Sequence, residues 1–168
     1  MQLDHYSTHF EKHTFPITLV CENVTNAPNI GSLFRTADAF GITELIFCGA
    51  QIPLGRKMTK TSRATEKAVK HSVETEINDV ISELKRKGFY IVSLEITTQS
   101  TALTHYTFPK NTPIALVIGD ENFGVSQEVL KSSDAVIHID MYGQNSSMNV
   151  VQATSITLYE ITKQLKSN

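Results

Sequence analysis

No apolar stretch in this chain approaches the roughly 20 residues that a membrane-spanning helix needs. The first fifteen residues, MQLDHYSTHFEKHTF, are polar and mixed and do not resemble a signal peptide. Both absences predict a soluble, cytoplasmic protein. Cysteine is scarce: Cys21 and Cys48 each lie in or beside an apolar run and have no spaced partners. That argues against a disulfide framework and predicts buried, reduced thiols. An excess of one charge is missing too. A net charge of −2 excludes a globally basic nucleic-acid binder, so any RNA contact must be local. The turns carry no GxGxxG, no phosphate loop of the GxxxxGK type and no GxSxG elbow, and His138 is the only histidine near a polar cluster. Metal-ligand spacing is absent. His5, His9 and His13 would share one side of a helix, but no carboxylate or cysteine completes a site, so they read as a solvated face and no metal is expected.

What remains is an alternation of strand-like and helix-like pieces without a linker, repeat or low-complexity tract. At 168 residues the chain is expected to form a single domain over 1–168, with 1–14 a helical or irregular extension. Strands are predicted at Ile17–Val20, Leu45–Cys48, Tyr90–Leu94, Ile114–Ile118 and Val136–Ile139, all rich in Val, Ile and Leu. Helices are predicted over 30–40, 76–87, 125–131 and 148–165. The fold class is therefore α/β, with a mostly parallel sheet covered by helices on both faces. The last helix has more apolar surface than one packing face needs, which implies deep burial or a subunit interface.

Three loops follow strands and concentrate polar residues. In NIGSLFRTADAFG, residues 29–41, Leu33, Phe34, Ala37 and Phe40 form a stripe that leaves Arg35 about 100° to one side. Asn29 stands at the strand–helix junction, where it suits capping. IGDENFG, 118–124, places Asp120, Glu121 and Asn122 between Gly119 and Gly124, which permit a tight turn and close approach to a ligand. IDMYGQNSSMNVVQA, 139–153, gathers Gln144, Asn145, Ser146, Ser147 and Asn149 before the last helix, where Ser146 or Ser147 could equally be a simple cap. Strand ends on one edge of a parallel sheet are where ligands bind. Separately, Arg56, Lys57, Lys60, Arg63, Lys67 and Lys70 crowd one stretch with Glu66 as its sole acid, which reads either as solvated surface or as a polyanion contact.

Taken together, these loops resemble the SpoU branch of the SPOUT RNA methyltransferases. The carrying motifs are Asn29-x-Gly31-x-x-x-Arg35-Thr36 ending in Phe40-Gly41, Gly119-x-Glu121-x-x-Gly124, and Ile139, Met141, Gly143 with Ser147-Met148-Asn149-Val150. The stretch KTSRATEKAV, 60–69, is similar to the family's loop after the second strand. The likeness runs from about residue 15 to the C-terminus. It departs at Asp140, where the family usually has proline, at Val151, where it has serine, and at Thr65, which stands where a glycine is common. The chain also resembles a near-minimal catalytic core without the N-terminal RNA-binding domain of many relatives.

The resemblance implies a C-terminal trefoil knot, S-adenosyl-L-methionine as cofactor, and methyl transfer to a ribose 2′-hydroxyl of RNA, with tRNA first and rRNA as the rival. It implies Gly119, Ile139, Met141, Ser147, Met148 and Leu94 as cofactor contacts. Arg35, Asn29, Ser147, Asn149 and Glu121 are implied as catalytic residues, and Arg56, Lys57, Lys60, Arg63 and Lys67 as the RNA contact. It further implies a homodimer in which Arg35 of one subunit lies near the cofactor of the other. A noncatalytic RNA-binding dimer, for which Asp140 leaves room, and a purely structural homodimer are the other classes.

Overall fold

A computed structural model describes residues 10–167, so His5 and His9 lie outside the described part. Residues 10–14, with His13, are irregular rather than helical. The chain then forms β1 (Phe15–Glu22), α1 (Ala27–Ala39), β2 (Ile42–Cys48), α2 (Arg56–Ser62), β3 (His71–Glu74), α3 (Ile77–Arg86), β4 (Tyr90–Leu94), β5 (Thr101–Ala102), β6 (Ile114–Ile118), α4 (Gln127–Ser132), β7 (Ala135–His138) and α5 (Val150–Lys166). All seven strands are parallel, in the order β3-β2-β1-β6-β4-β7-β5.

Alternate residues of each strand feed opposite faces of the sheet. Leu19, Cys21, Phe47 and Leu116 pack with Ile30, Leu33 and Phe34 of α1 and Leu158 and Ile161 of α5. Val20, Ile46, Cys48 and Val117 pack instead with Ile81 and Leu84 of α3 and Val129 of α4. The two cysteines thus belong to opposite faces and are free thiols. Burial raises both, Cys48 to about 12 with help from the nearby Glu22 and Glu74 carboxylates.

Elements that bury little were not anticipated. β3 is a mostly exposed edge strand, β5 has two residues, and α2 buries only Met58 and Ser62. The buried hydroxyls of α5 are satisfied locally, Thr154, Thr157 and Thr162 donating to the carbonyls four residues back. Ile156 and Tyr159 remain 44% and 62% exposed, so α5 keeps an apolar strip after packing.

Thr65 does not occupy the backbone conformation that favours glycine; it starts a 3-10 turn. The left-handed residues are Arg63 (φ 51°) and Ala64 (φ 68°), immediately before it. Ala64 is therefore the residue standing where glycine fits. Ala64→Gly should stabilise the protein by roughly 0.5–1 kcal/mol, or about 1–4 °C in Tm. An unchanged or lowered Tm in a thermal melt would contradict that assignment.

Candidate functional site

The C-terminal ends of β6, β4 and β7 stand side by side, and the loops leaving them enclose a cleft of about 450 Å³ with the start of α5. Leu94, Gly119, Ile139, Met141, Ser147 and Met148, the six residues expected to hold a cofactor, all line it. Leu94, Ile139, Met141, Met148 and Val150 supply apolar surface, Glu95, Asp120 and Glu121 supply carboxylates, and none of the described lining residues is Lys or Arg. A cleft of this size, within the roughly 300–1,000 Å³ of small-molecule sites, suits a flat apolar base attached to a cationic group. The sulfonium nucleoside S-adenosyl-L-methionine has that character. Glu95, Ile96, Thr97, Gln127 and His138 also line the cleft and were not anticipated. For Glu95 the available signal was its place directly after a predicted strand.

Glycine permits the loop after β6 to fold back on that strand. A Cβ on Gly119 would lie 2.1 Å from the carbonyl carbon of Gly124, and Gly124 itself has φ +67°. Asp120 organises the turn, its Oδ1 accepting from the backbone N–H of Asn122 (2.7 Å) and Phe123 (2.9 Å). This fold-back turns Glu121 toward α1 and α5. Glu121 Oε1 accepts from Asn29 Nδ2 at 2.8 Å and Asn149 Nδ2 at 2.9 Å, and Asn149 Nδ2 also lies 3.3 Å from Asn29 Oδ1. Residues from all three loops thus meet at one carboxylate oxygen.

Neither expected cap proves right. The α1 cap is Asn26, whose side chain accepts from the Asn29 amide, with Pro28 in the first turn. Asn29 sits inside that turn, which frees its side chain for Glu121. At α5 the cap is Asn149, accepting from the Val151 and Gln152 amides, and not Ser146 or Ser147. Asn149 therefore caps a helix with its oxygen and grips Glu121 with its nitrogen. Ser147 is exposed at the cleft, with no hydrogen bond among the described residues.

The arginine is elsewhere. Arg35 is exposed on α1, two turns beyond Asn29, and does not line the cleft. It lies one turn past Gly31, on the same side of the helix. A Cβ on Gly31 would fall 2.0 Å from Thr61 Oγ1 and 2.3 Å from the Met58 carbonyl, so α2 rests directly on α1 there. Arg35 therefore lies on the side of α1 that carries α2. Arg56, Lys57, Lys60, Arg63 and Lys67 are all exposed on and after α2, away from the cleft lining, and none has an ion-pair partner among the described residues. Lys70 is drawn instead to Glu44 at 3.3 Å.

Asp140 does not intrude on the cleft. Its neighbours Ile139 and Met141 line the cavity, while its carboxylate lies 3.5 Å from His138 Nε2 and 3.5 Å from Thr104 Oγ1. Val151 packs at the edge of the core and donates its amide to the Asn149 side chain.

Similar proteins have this arrangement of elements. The family model "SpoU rRNA Methylase family" matches residues 16–159. A tRNA (guanosine(18)-2'-O)-methyltransferase of Aquifex aeolicus is 32% identical over 157 residues, covering 92% of this chain and 72% of the relative. A TrmH-family tRNA/rRNA methyltransferase of Staphylococcus aureus is 31% identical over 157 residues, covering 90% of this chain and 60% of that longer protein. The crystal structure of the A. aeolicus TrmH/SpoU tRNA modifying enzyme superposes with a TM-score of 0.82 at 30% identity, over 92% of this chain and 77% of that one. The parallel α/β fold, the cleft at its strand ends and this match agree: the chain belongs to the SpoU rRNA methylase family.

Proposed function

We infer that this chain uses S-adenosyl-L-methionine to methylate a ribose 2′-hydroxyl of RNA, with tRNA as the substrate class. The observation that carries the reading is a convergence. Six residues expected to hold the donor line one cleft, and Asn29, Glu121 and Asn149 bond to one another at its edge. The activity of the Aquifex relative supports tRNA. The tRNA/rRNA assignment of the Staphylococcus relative keeps rRNA as the second reading.

When bound, the donor supplies a methyl group already activated by its sulfonium. The chain must seat the donor, align the hydroxyl and help its proton leave. The apolar walls from Leu94, Ile139, Met141 and Met148 would hold the base. Glu121 fixes Asn29 and Asn149 and so joins the three loops. Ser147 faces the cleft with a free hydroxyl for the ribose. The guanidinium of Arg35 offers hydrogen-bond donors and no acceptor, so it does not serve as the base. It serves by binding the neighbouring phosphate and polarising the hydroxyl, with phosphate or solvent taking the proton. The basic surface of α2 holds further phosphates without reading bases.

Two architectural readings belong with this function. A trefoil knot over β6 to α5 is supported by β7 lying beside β4 instead of β6, and by the likeness to the Aquifex fold. A homodimer is supported by Ile156 and Tyr159 on α5, and by an Arg35 that does not reach the cleft of its own chain. The single-domain reading and a cytoplasmic location, which suits two free buried thiols, complete the proposal.

Labelled S-adenosylmethionine and total RNA from a strain lacking the protein test it. The expected result is label in tRNA, mapping to one methylated ribose. No label in tRNA or rRNA, with the donor demonstrably bound, would favour a noncatalytic RNA-binding dimer.

A further inference from the structure

β6 lies between β1 and β4, and the loop that leaves it is held from both sides. Each backbone N–H from Asn122 to Ser126 has an acceptor. Those of Asn122 and Phe123 go to the Asp120 carboxylate and that of Gly124 to the Asp120 carbonyl, all within the loop. The next two leave it. The Val125 N–H donates to Glu95 Oε2 at 3.0 Å, and the Ser126 N–H donates to Glu22 Oε2 at 2.9 Å. Glu95 directly follows β4, and Glu22 is the last residue of β1. Consecutive amides are thus gripped by carboxylates from the two strands that flank β6.

We propose that Glu22 and Glu95 are positioning residues that set the 119–126 loop for binding the methyl donor. This deepens the function inferred above and rests on it. Glu22 is only 5% exposed, and neither carboxylate has a Lys or Arg partner among the described residues. A charge kept in such a place must be satisfied by hydrogen bonds, and charge-assisted bonds to N–H are the strong kind. Glu95 also binds the Ile96 amide through Oε1 at 2.9 Å, so one side chain ties the end of β4 to the loop after β6. It lies over Gly124, where a Cβ would come 2.2 Å from Oε2. The same loop presents Gly119 to the cleft and Glu121 to Asn29 and Asn149. Its height above the sheet therefore controls the seat of the donor more directly than the capture of RNA.

Hydrogen exchange on the full chain reads the grip itself. Glu95→Ala and Glu22→Ala should speed exchange at Val125 and Ser126 respectively by about tenfold. Calorimetry with S-adenosylmethionine should show the Kd raised about tenfold in each; for Glu22→Ala, whose side chain does not line the cleft, kcat at saturating donor and KM for RNA stay within about twofold. If Glu22→Ala fails to fold, Glu22→Gln keeps a carbonyl acceptor and should fold, with an increase of about threefold. Unchanged donor affinity in a folded variant, or equal losses in kcat and RNA affinity, would overturn the positioning role. A wild-type chain that binds no S-adenosylmethionine would overturn the proposed function itself, and this role with it.

Discussion

Arg35→Ala should abolish methyl transfer, by on the order of 10³-fold or more, while the Kd for S-adenosylmethionine stays within about twofold of wild type. The two halves of that result have separate physical origins. Arg35 is exposed, so removing its side chain leaves no cavity, and Tm should hardly move. It is absent from the cleft lining, so the donor keeps its contacts. What disappears is a fixed positive charge with a planar donor fork, suited to a phosphate oxygen pair beside the reacting ribose. Arg35→Lys keeps charge without the fork and should recover only part of the rate. Lost donor affinity in a folded Arg35→Ala protein, or retained turnover, would refute the assignment.

Gly119→Ala should do the reverse and remove donor binding, by about 100-fold or more, from a protein that still folds. The new methyl group would meet the Gly124 carbonyl carbon at 2.1 Å, its oxygen at 2.3 Å and the Val125 nitrogen at 2.4 Å. These are backbone atoms, so no side-chain rotation relieves the overlap. Gly119 itself is buried at the end of the central strand β6, which leaves the loop as the part that yields. Moving it pulls Glu121 away from Asn29 and Asn149. Overpacking of this kind costs about 1–3 kcal/mol, within reach of a typical stability of roughly 5–15 kcal/mol. Gly124→Ala should be milder, because the nearest obstacle there is the Glu95 carboxylate, a side chain that can turn aside. Equal donor affinity in wild type and Gly119→Ala would show that the loop does not form the seat.

The two variants together test the subunit arrangement. In a homodimer whose sites are shared, mixing Arg35→Ala with Gly119→Ala rebuilds one complete site per heterodimer. Random exchange should then restore up to about a quarter of wild-type activity. Mixed subunits that stay inactive after proven exchange would place Arg35 at its own chain's cleft.

The parts legible in the sequence were those with strong local burial. β1, β2, β4, β6 and β7 are runs of Val, Ile and Leu covered on both faces, and hydrophobic content alone locates them. β3 carries one large apolar side chain, Val73, itself 45% exposed, and α2 reads RKMTKTS, so neither announces itself. The start of α1 was misplaced by three residues although Pro28 marked it, proline being favoured at the first helical position. The site was harder. Asn29 and Glu121 are hydrogen-bonded yet 92 positions apart. Local periodicity cannot show such a pair, and only the resemblance of three ordered motifs brought them together. Glu22 and Glu95 carry no local mark of function; their role follows from sheet order, which places their strands on either side of β6.

That sheet order also governs how the chain can fold as it is made. β1 finds its first neighbour early, since Phe15 aligns with Ile42 on β2. Its other edge must wait for β6, where Ile17 aligns with Ile114. At ordinary synthesis rates the delay is roughly 5–20 s. Throughout it, Ile17, Leu19, Val20 and Cys21 belong to a strand with one open edge, the kind of template on which nascent chains pair wrongly. β1 is thus the first strand made and keeps an open edge until β6 arrives, which makes the ribosome-bound stage the one most exposed to mispairing.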